Sequence, residues 1–202
     1  MTLLEKEDQR VTAELQKVGI RINGVYDLVN SRRSYKEAIP VLVKLLPSIK
    51  DDRIKEGVVR ALAVKEAVGG DVSRAMICEF EGISPSAPPS MQALKWAIAN
   101  TLSVVARDPV FEEIAALACE KQHGKAREML AVALGNMKDS RAIDVLVKLL
   151  NDDEVAGHAL MALGKLKAAK AKPAIERFLD HPKPWVRKEA ERALRKIEKA
   201  MS

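Results

Sequence analysis

The chain has 202 residues, a net charge of +6 and 48% hydrophobic residues, of which aromatics supply only 3% of the whole. Small and medium aliphatic side chains in that proportion suit close helix–helix packing and fill a wide sheet poorly. No stretch of about 18 uncharged apolar residues occurs, which excludes a transmembrane helix. Glu5, Glu7 and Asp8 directly behind Leu3-Leu4 are unlike a signal peptide, so a cytoplasmic location is expected.

Residues 4–18 have helix-forming composition with Leu4, Val11, Leu15 and Val18 on one rough face, and Gly19 ends the segment. Asn23-Gly24 marks a turn, Val25 to Val29 a short amphipathic piece, and Asn30-Ser31-Arg32-Arg33-Ser34 a polar run. Residues 1–34 read as an N-terminal helical cap, the least repetitive part of the chain. A helix follows from Ala38 to Leu46, with Pro40 in its first turn, where the missing N–H matters little. Its closest copy runs from Ala142 to Leu150, with Asp139 and Ser140 as N-cap oxygens. Asp51-Asp52 and Asp152-Asp153 precede further helices, where acids complement the positive end of the helix dipole.

Those further helices are copies of one another. Val186 to Ile197, Val155 to Leu166, Ala126 to Met137, and the segments around Lys55 and Lys95 share one spacing of Ala and Leu positions. Aligned leucines fall at Leu62, Leu102, Leu134, Leu163 and Leu194, at steps of 40, 32, 29 and 31 residues. A period of this size signals a solenoid of helix pairs, each burying its apolar face against its neighbours. The pairs are expected at 36–66, 71–106, 109–137, 139–167 and 170–199, within an array spanning 35–202. The second pair is irregular, with Val72 to Glu81 and Met91 to Ala106 separated by Gly82 to Ser90, which cannot continue a helix. Gly135 and Gly164 recur at one position, where a missing side chain lets a neighbouring helix approach.

The second helices, of the form Val-Arg-x-x-Ala-x-x-Ala-Leu-x-x-Leu/Ile, and the first helices, Ala-Ile-x-x-Leu-x-x-Leu-Leu, resemble HEAT repeats, especially the short bacterial HEAT-like type. The resemblance covers roughly residues 36–199 and is closest from Phe178 to Arg187. It implies an all-α, right-handed superhelix of about five helical pairs, with second helices lining the concave side. In that family a base at the position of Arg187 commonly pairs with a loop acid between repeats. Lys55, Lys95 and Arg127 keep the base, Ala156 breaks the pattern, and His181 stands where the loop acid belongs. HEAT arrays mostly bind other macromolecules, although related short proteins include bilin lyases and DNA glycosylases for alkylated purines.

Register arithmetic places Glu56, Trp96, Glu128, Gly157 and Lys188 in one outward row, and Arg60, Asn100, Val132, Met161 and Arg192 in another. Trp96 and Asn100 are four apart and share a helix face, so that Trp96 either anchors a protein partner beside the amide or packs under the proline-rich segment. Lys55, Arg60, Lys95, Arg127, Arg187 and Arg192 recur along the same helices and would suit nucleic-acid phosphates as a cationic track, though interspersed acids favour salt-bridge ladders. The binding residues expected are thus Trp96, Asn100, Arg60, Lys95, Arg127, Arg187 and Arg192.

The charge is uneven. Residues 165–202 hold twelve Lys or Arg against five Asp or Glu, which either keeps the end of the stack soluble or meets a polyanion. Cys78 and Cys119 read as reduced core residues, and neither they nor His123, His158 and His181 have metal-ligand spacing. No phosphate loop or nucleophile motif appears, and no carboxylate pairs convincingly with Trp96, Trp185 or Tyr35 as a glycosylase would require. The expectation is a non-enzymatic adaptor without cofactor or metal that docks a protein on its concave face. The alternative is a nucleic-acid-binding or DNA-repair protein that uses the basic residues.

Overall fold

The computed structural model describes residues 1–201 and places twelve α-helices among them. Two compact units divide the chain, Met1–Val105 and Ala106–Ser202.

The first unit contains α1 (Leu3–Lys17), α2 (Tyr26–Val29), α3 (Ala38–Leu45), α4 (Asp52–Ala61), α5 (Gly70–Glu81) and α6 (Pro89–Val105). Thr2 and Glu5 form a capping box at the start of α1, and Gly19 at φ +84° lets the chain turn where a side chain would be strained. Carboxylates then fasten this N-terminal region to the repeats. Buried Glu7 accepts from the backbone N–H groups of Lys50 and Asp51 at 2.9 and 3.0 Å, while Asp8 accepts from Val25 N–H at 2.9 Å. Gly57 on α4 leaves the space that Val25 and Tyr26 fill, and the Tyr26 hydroxyl donates to the Arg53 carbonyl. Asp51 caps α4 through the N–H groups of Arg53 and Ile54. The α6 helix packs on both α4 and α5, and Thr101 on it donates to the Val59 carbonyl at 2.9 Å.

The segment Gly82 to Pro88 is irregular and heavily bonded, and α6 begins at Pro89, two residues before the expected Met91. Gln92 Nε2 reaches the carbonyls of Ser84, Pro85 and Ala87, and Lys95 Nζ donates to the Ile83 carbonyl at 2.6 Å.

The second unit contains α7 (Phe111–Cys119), α8 (Ala126–Leu134), α9 (Arg141–Leu149), α10 (Ala156–Lys165), α11 (Lys172–Glu176) and α12 (Pro184–Met201). The second helices α8, α10 and α12 pack successively, and the recurrent glycines sit where they touch. A Cβ on Gly135 would lie 2.8 Å from the Ala162 Cβ, and one on Gly164 would lie 2.7 Å from the Ala193 Cα. Asp108 accepts from the N–H groups of Lys138 and Asp139, a tie between repeats like that of Glu7. Ser140 makes no capping bond to α9; Asp139 accepts from Arg141 N–H instead.

Two expectations need correction. Cys78 and Cys119 are free thiols, but Cys78 is exposed and Cys119 half-buried, because both lie on the outer flank of their first helices.

Gly164→Ala is expected to destabilise the protein by about 1–2 kcal/mol in urea unfolding. The overlap with α12 opposes, and exceeds, the gain of about 1 kcal/mol in helix propensity.

Candidate functional site

The seven residues singled out by register fall in both units. Arg60, Lys95, Trp96 and Asn100 lie in the first, and Arg127, Arg187 and Arg192 in the second.

In the first unit Arg60 bonds to Glu56 on the same helix at 2.7 Å. On the packed neighbour α6, Trp96 and Asn100 occupy the register-equivalent positions, and both are half-buried. The Asn100 side-chain amide has no hydrogen bond among the described residues, whereas its carbonyl accepts from Ser103 Oγ. This leaves a polar amide available beside an indole on an outward helix face.

Lys95 is different. It is completely buried, with Nζ donating to the Ile83 carbonyl and lying 4.6 Å above the Phe80 ring. A ligand cannot reach it, so the expectation of a contact residue gives way to that of an internal staple for the proline-rich segment. A buried ammonium requires such polar and π partners, since desolvation disfavours its charge.

Arg127 is likewise interior, 2% exposed, and its guanidinium spans Asp152 at 2.9 Å and Glu154 at 2.7 Å. Burial works against this charge, but the hydrogen bonds and charges of Asp152 and Glu154 outweigh it and hold the pKa above the ordinary arginine value. Burial of Asp152 also opposes ionisation, and its bonds to Arg127 and to Glu154 N–H overcome that and keep its pKa low. Here Arg127, too, is a tie between repeats. Lys55 makes the corresponding pair with Glu79 at 2.6 Å. At Ala156 the rung is missing, and Arg187 donates to the carbonyls of His181 and Pro182 rather than to an acid.

Arg192 is exposed and paired with Glu189 at 2.5 Å. The continuous cationic track considered from the sequence is therefore not formed. Of its bases, Lys95 and Arg127 are buried, and Arg60 and Arg192 are neutralised by glutamates.

The second unit carries a surface that register arithmetic missed. Gly157 occupies the row of Trp96, and the indole of Trp185 lies directly on it, so a methyl group at 157 would overlap the ring. The indole thus fills the volume that a side chain in the Trp96 row would have taken. Trp185 remains 43% exposed, and Met161, in the row of Asn100, is 41% exposed. The His158 ring lies 5.6 Å from the indole, tilted by 58°, and its Nδ1 is buried without a partner. Burial pushes the His158 pKa down, against the opposing pull of Glu128 from α8 and Glu189 from α12. Imidazole is therefore kept neutral beneath an exposed aromatic and thioether surface. The sequence signal was the glycine itself, at the outward row next to an aromatic-led helix.

No group of three or more His, Cys, Asp or Glu is placed to hold a metal among the described residues, and no helix there is long and apolar enough to cross a membrane.

Comparison with known proteins agrees with this geometry. The family of HEAT repeats matches residues 152–201, and the PBS lyase HEAT-like repeat matches residues 126–152. Among solved structures the chain is similar to an engineered protein from the Northeast Structural Genomics Consortium, at 21% identity and TM-score 0.53 over 96% of this chain and 91% of that one. It is similar to a designed armadillo repeat protein at 17% identity and TM-score 0.51, covering 93% and 99% of the two chains. A second designed armadillo repeat protein, in complex with the peptide (KR)4, gives 18% identity and TM-score 0.53 over 96% of both. At such identities the structural likeness is one of fold. No curated protein sequence matches the chain. The class is an all-α helical repeat protein of the armadillo and HEAT kind. Within it, residues 126–201 carry HEAT repeats.

Two measurements check this account. Asp152→Ala leaves a buried guanidinium with one partner fewer, and a loss of about 2 kcal/mol in unfolding free energy is expected. His158 is neutral in the fold, so the unfolded chain binds more protons below the ordinary histidine pKa of 6.5. Stability should consequently fall as pH drops from about 7.5 to 5.5, and His158→Gln should show a smaller fall; equal falls would remove His158 from the explanation.

Proposed function

We propose that the chain is a non-enzymatic protein-binding module that engages its partner through the outward faces of its second helices. The observation that carries this reading is the provision of one indole on that face in each unit. Trp96 comes from the row itself, and Trp185 is laid into the same row over Gly157. Tryptophan concentrates binding energy at protein interfaces because it buries a large rigid surface while losing few rotamers. Each indole has adaptable company, the unbonded Asn100 amide in one unit and the exposed Met161 thioether in the other.

The fold supports the same reading. Armadillo and HEAT arrays commonly mediate protein binding, and one designed neighbour holds the peptide (KR)4. Docking would use rigid spacing: helices tied to each other by buried pairs such as Arg127–Asp152 do not adjust to a ligand, so the partner must match their geometry. Binding needs no covalent or proton-transfer step. The bases singled out on the second helices do not favour nucleic acid, since Lys95 and Arg127 are buried and Arg60 and Arg192 are paired with glutamates.

Peptides selected from a random phage library against the folded protein provide the test. Trp96→Ala or Trp185→Ala should weaken the selected peptides by about tenfold or more, the effect of removing an interface anchor. A selection that enriches only peptides indifferent to both changes would overturn the proposal. A large drop in melting temperature for Trp96→Ala, with Trp185→Ala inert toward binding, would assign Trp96 to the core instead.

A further inference from the structure

A second feature of the first unit lies away from the outward rows. The turn between α2 and α3 and the turn that follows α4 enclose a cleft of about 400 Å³, within the size range of small-molecule sites. Its lining includes Arg32, Arg33, Lys36 and Lys65, with Glu66 as the single acid. All four bases are exposed, and none has a side-chain hydrogen bond or ion pair among the described residues.

That concentration stands out against the rest of the unit. Residues 1–105 contain fifteen Lys or Arg and thirteen Asp or Glu, so the unit is nearly neutral. Four of its eleven other bases are paired with acids: Arg10 with Glu7, Lys17 with Glu14, Lys55 with Glu79, and Arg60 with Glu56. Four like charges converging on one opening repel one another, and an anion seated among them relieves that repulsion.

The backbone under the arginines is held in place. Ser31 Oγ accepts from Arg33 N–H at 3.1 Å and donates to the Arg33 carbonyl at 3.3 Å. Tyr35, 7% exposed, ties the same segment to the end of α4 through its hydroxyl, which donates to the Ala61 carbonyl at 2.9 Å. The bases thus project from an anchored turn. Attraction to the α4 C-terminus alone would not explain them, because none of the four side chains bonds to its carbonyls.

We infer that this cleft binds a compact, multiply charged phosphate group of a small ligand, such as a di- or triphosphate. Arginine forks match phosphate oxygens in pairs, and lysines add point charge. A nucleic-acid polymer is the weaker fit, because the charge is confined to one opening rather than spread along a track. The site is separate from the indole-bearing faces and its occupancy is independent of the proposed protein binding.

Isothermal titration calorimetry of the full chain with inorganic tripolyphosphate tests the inference. Expected is one saturable site whose affinity falls with added salt, and which Arg33→Gln with Lys65→Gln weakens about tenfold or more through lost charge-assisted bonds. Those surface changes should leave the melting temperature of the ligand-free protein within a few degrees. Absence of a saturable site overturns the inference, and so does equal binding by the double variant. Loss of binding in Lys188→Gln with Lys196→Gln, on α12, overturns it as well by moving the site to the basic C-terminal helix. Binding of a single-stranded oligonucleotide without binding of tripolyphosphate overturns it in favour of a polymer.

Discussion

The close approach of consecutive second helices is the constraint on which the second unit depends. Gly135 meets Ala162 and Gly164 meets Ala193 at distances that admit no further carbon, so these helices run backbone against small side chain. Dispersion and apolar burial at such contacts are strong because no void separates the surfaces. With the inner rows so tightly engaged, the outward rows are left with whatever the sequence places there. Gly157 turns the same property outward. Its absent side chain admits the Trp185 indole from the next repeat, and a binding surface arises from a packing device.

Charge performs the other structural task, the joining of one repeat to the next. Glu7, Asp108 and Asp152 all sit at inter-repeat positions and bond to backbone N–H groups or to a base of a neighbouring repeat. Lys95 and Arg127 complete the scheme from the opposite sign, one against a carbonyl and a ring, the other against two carboxylates. Apart from the exposed Asp108, these are buried or half-buried polar groups with satisfied partners. Such groups specify one arrangement of the chain because every alternative leaves a charge unpaired in a poorly solvated place. A repeat fold needs that specificity, since its apolar stripes are similar enough to pair out of register.

Helices and their order were legible in the sequence because the i, i+3, i+4 pattern is a local property, as at Leu42 and Leu46 on one side or Leu160 and Leu163 on the other. Recurrence of Gly135 and Gly164 likewise announced close packing. The fate of the bases was harder to read. A Lys or Arg at the start of a second helix has the same spacing whether it points to solvent or into the joint between repeats, and only the partner's position decides. Lys95 and Arg127 have their carbonyl and carboxylate partners 12 to 27 residues away. Trp185 escaped the outward rows because it precedes them; its place depends on a glycine 28 residues earlier. Cys78 lies in an apolar helical pattern yet on its exposed flank, and a three-residue shift in face is within the width of such a stripe.

Neutralisation also explains why the bases that recur are less informative than those that do not. Arg127 stands at the repeated base position and Arg60 and Arg192 share an outward row, and each has an acid from its own helix or the next repeat, so their charge is spent on holding the fold. Arg32, Arg33 and Lys36 belong to a turn with no counterpart in later repeats, and they have no acid assigned to them. Unpaired like charges at one opening repel one another and oppose the compact state. An anion from outside the chain would relieve that repulsion. The same reasoning applies to Trp96 and Trp185, whose exposed ring surface adds less to folding than full burial would. In both places the departures from the repeat, rather than the repeat, carry the chemistry available to a ligand.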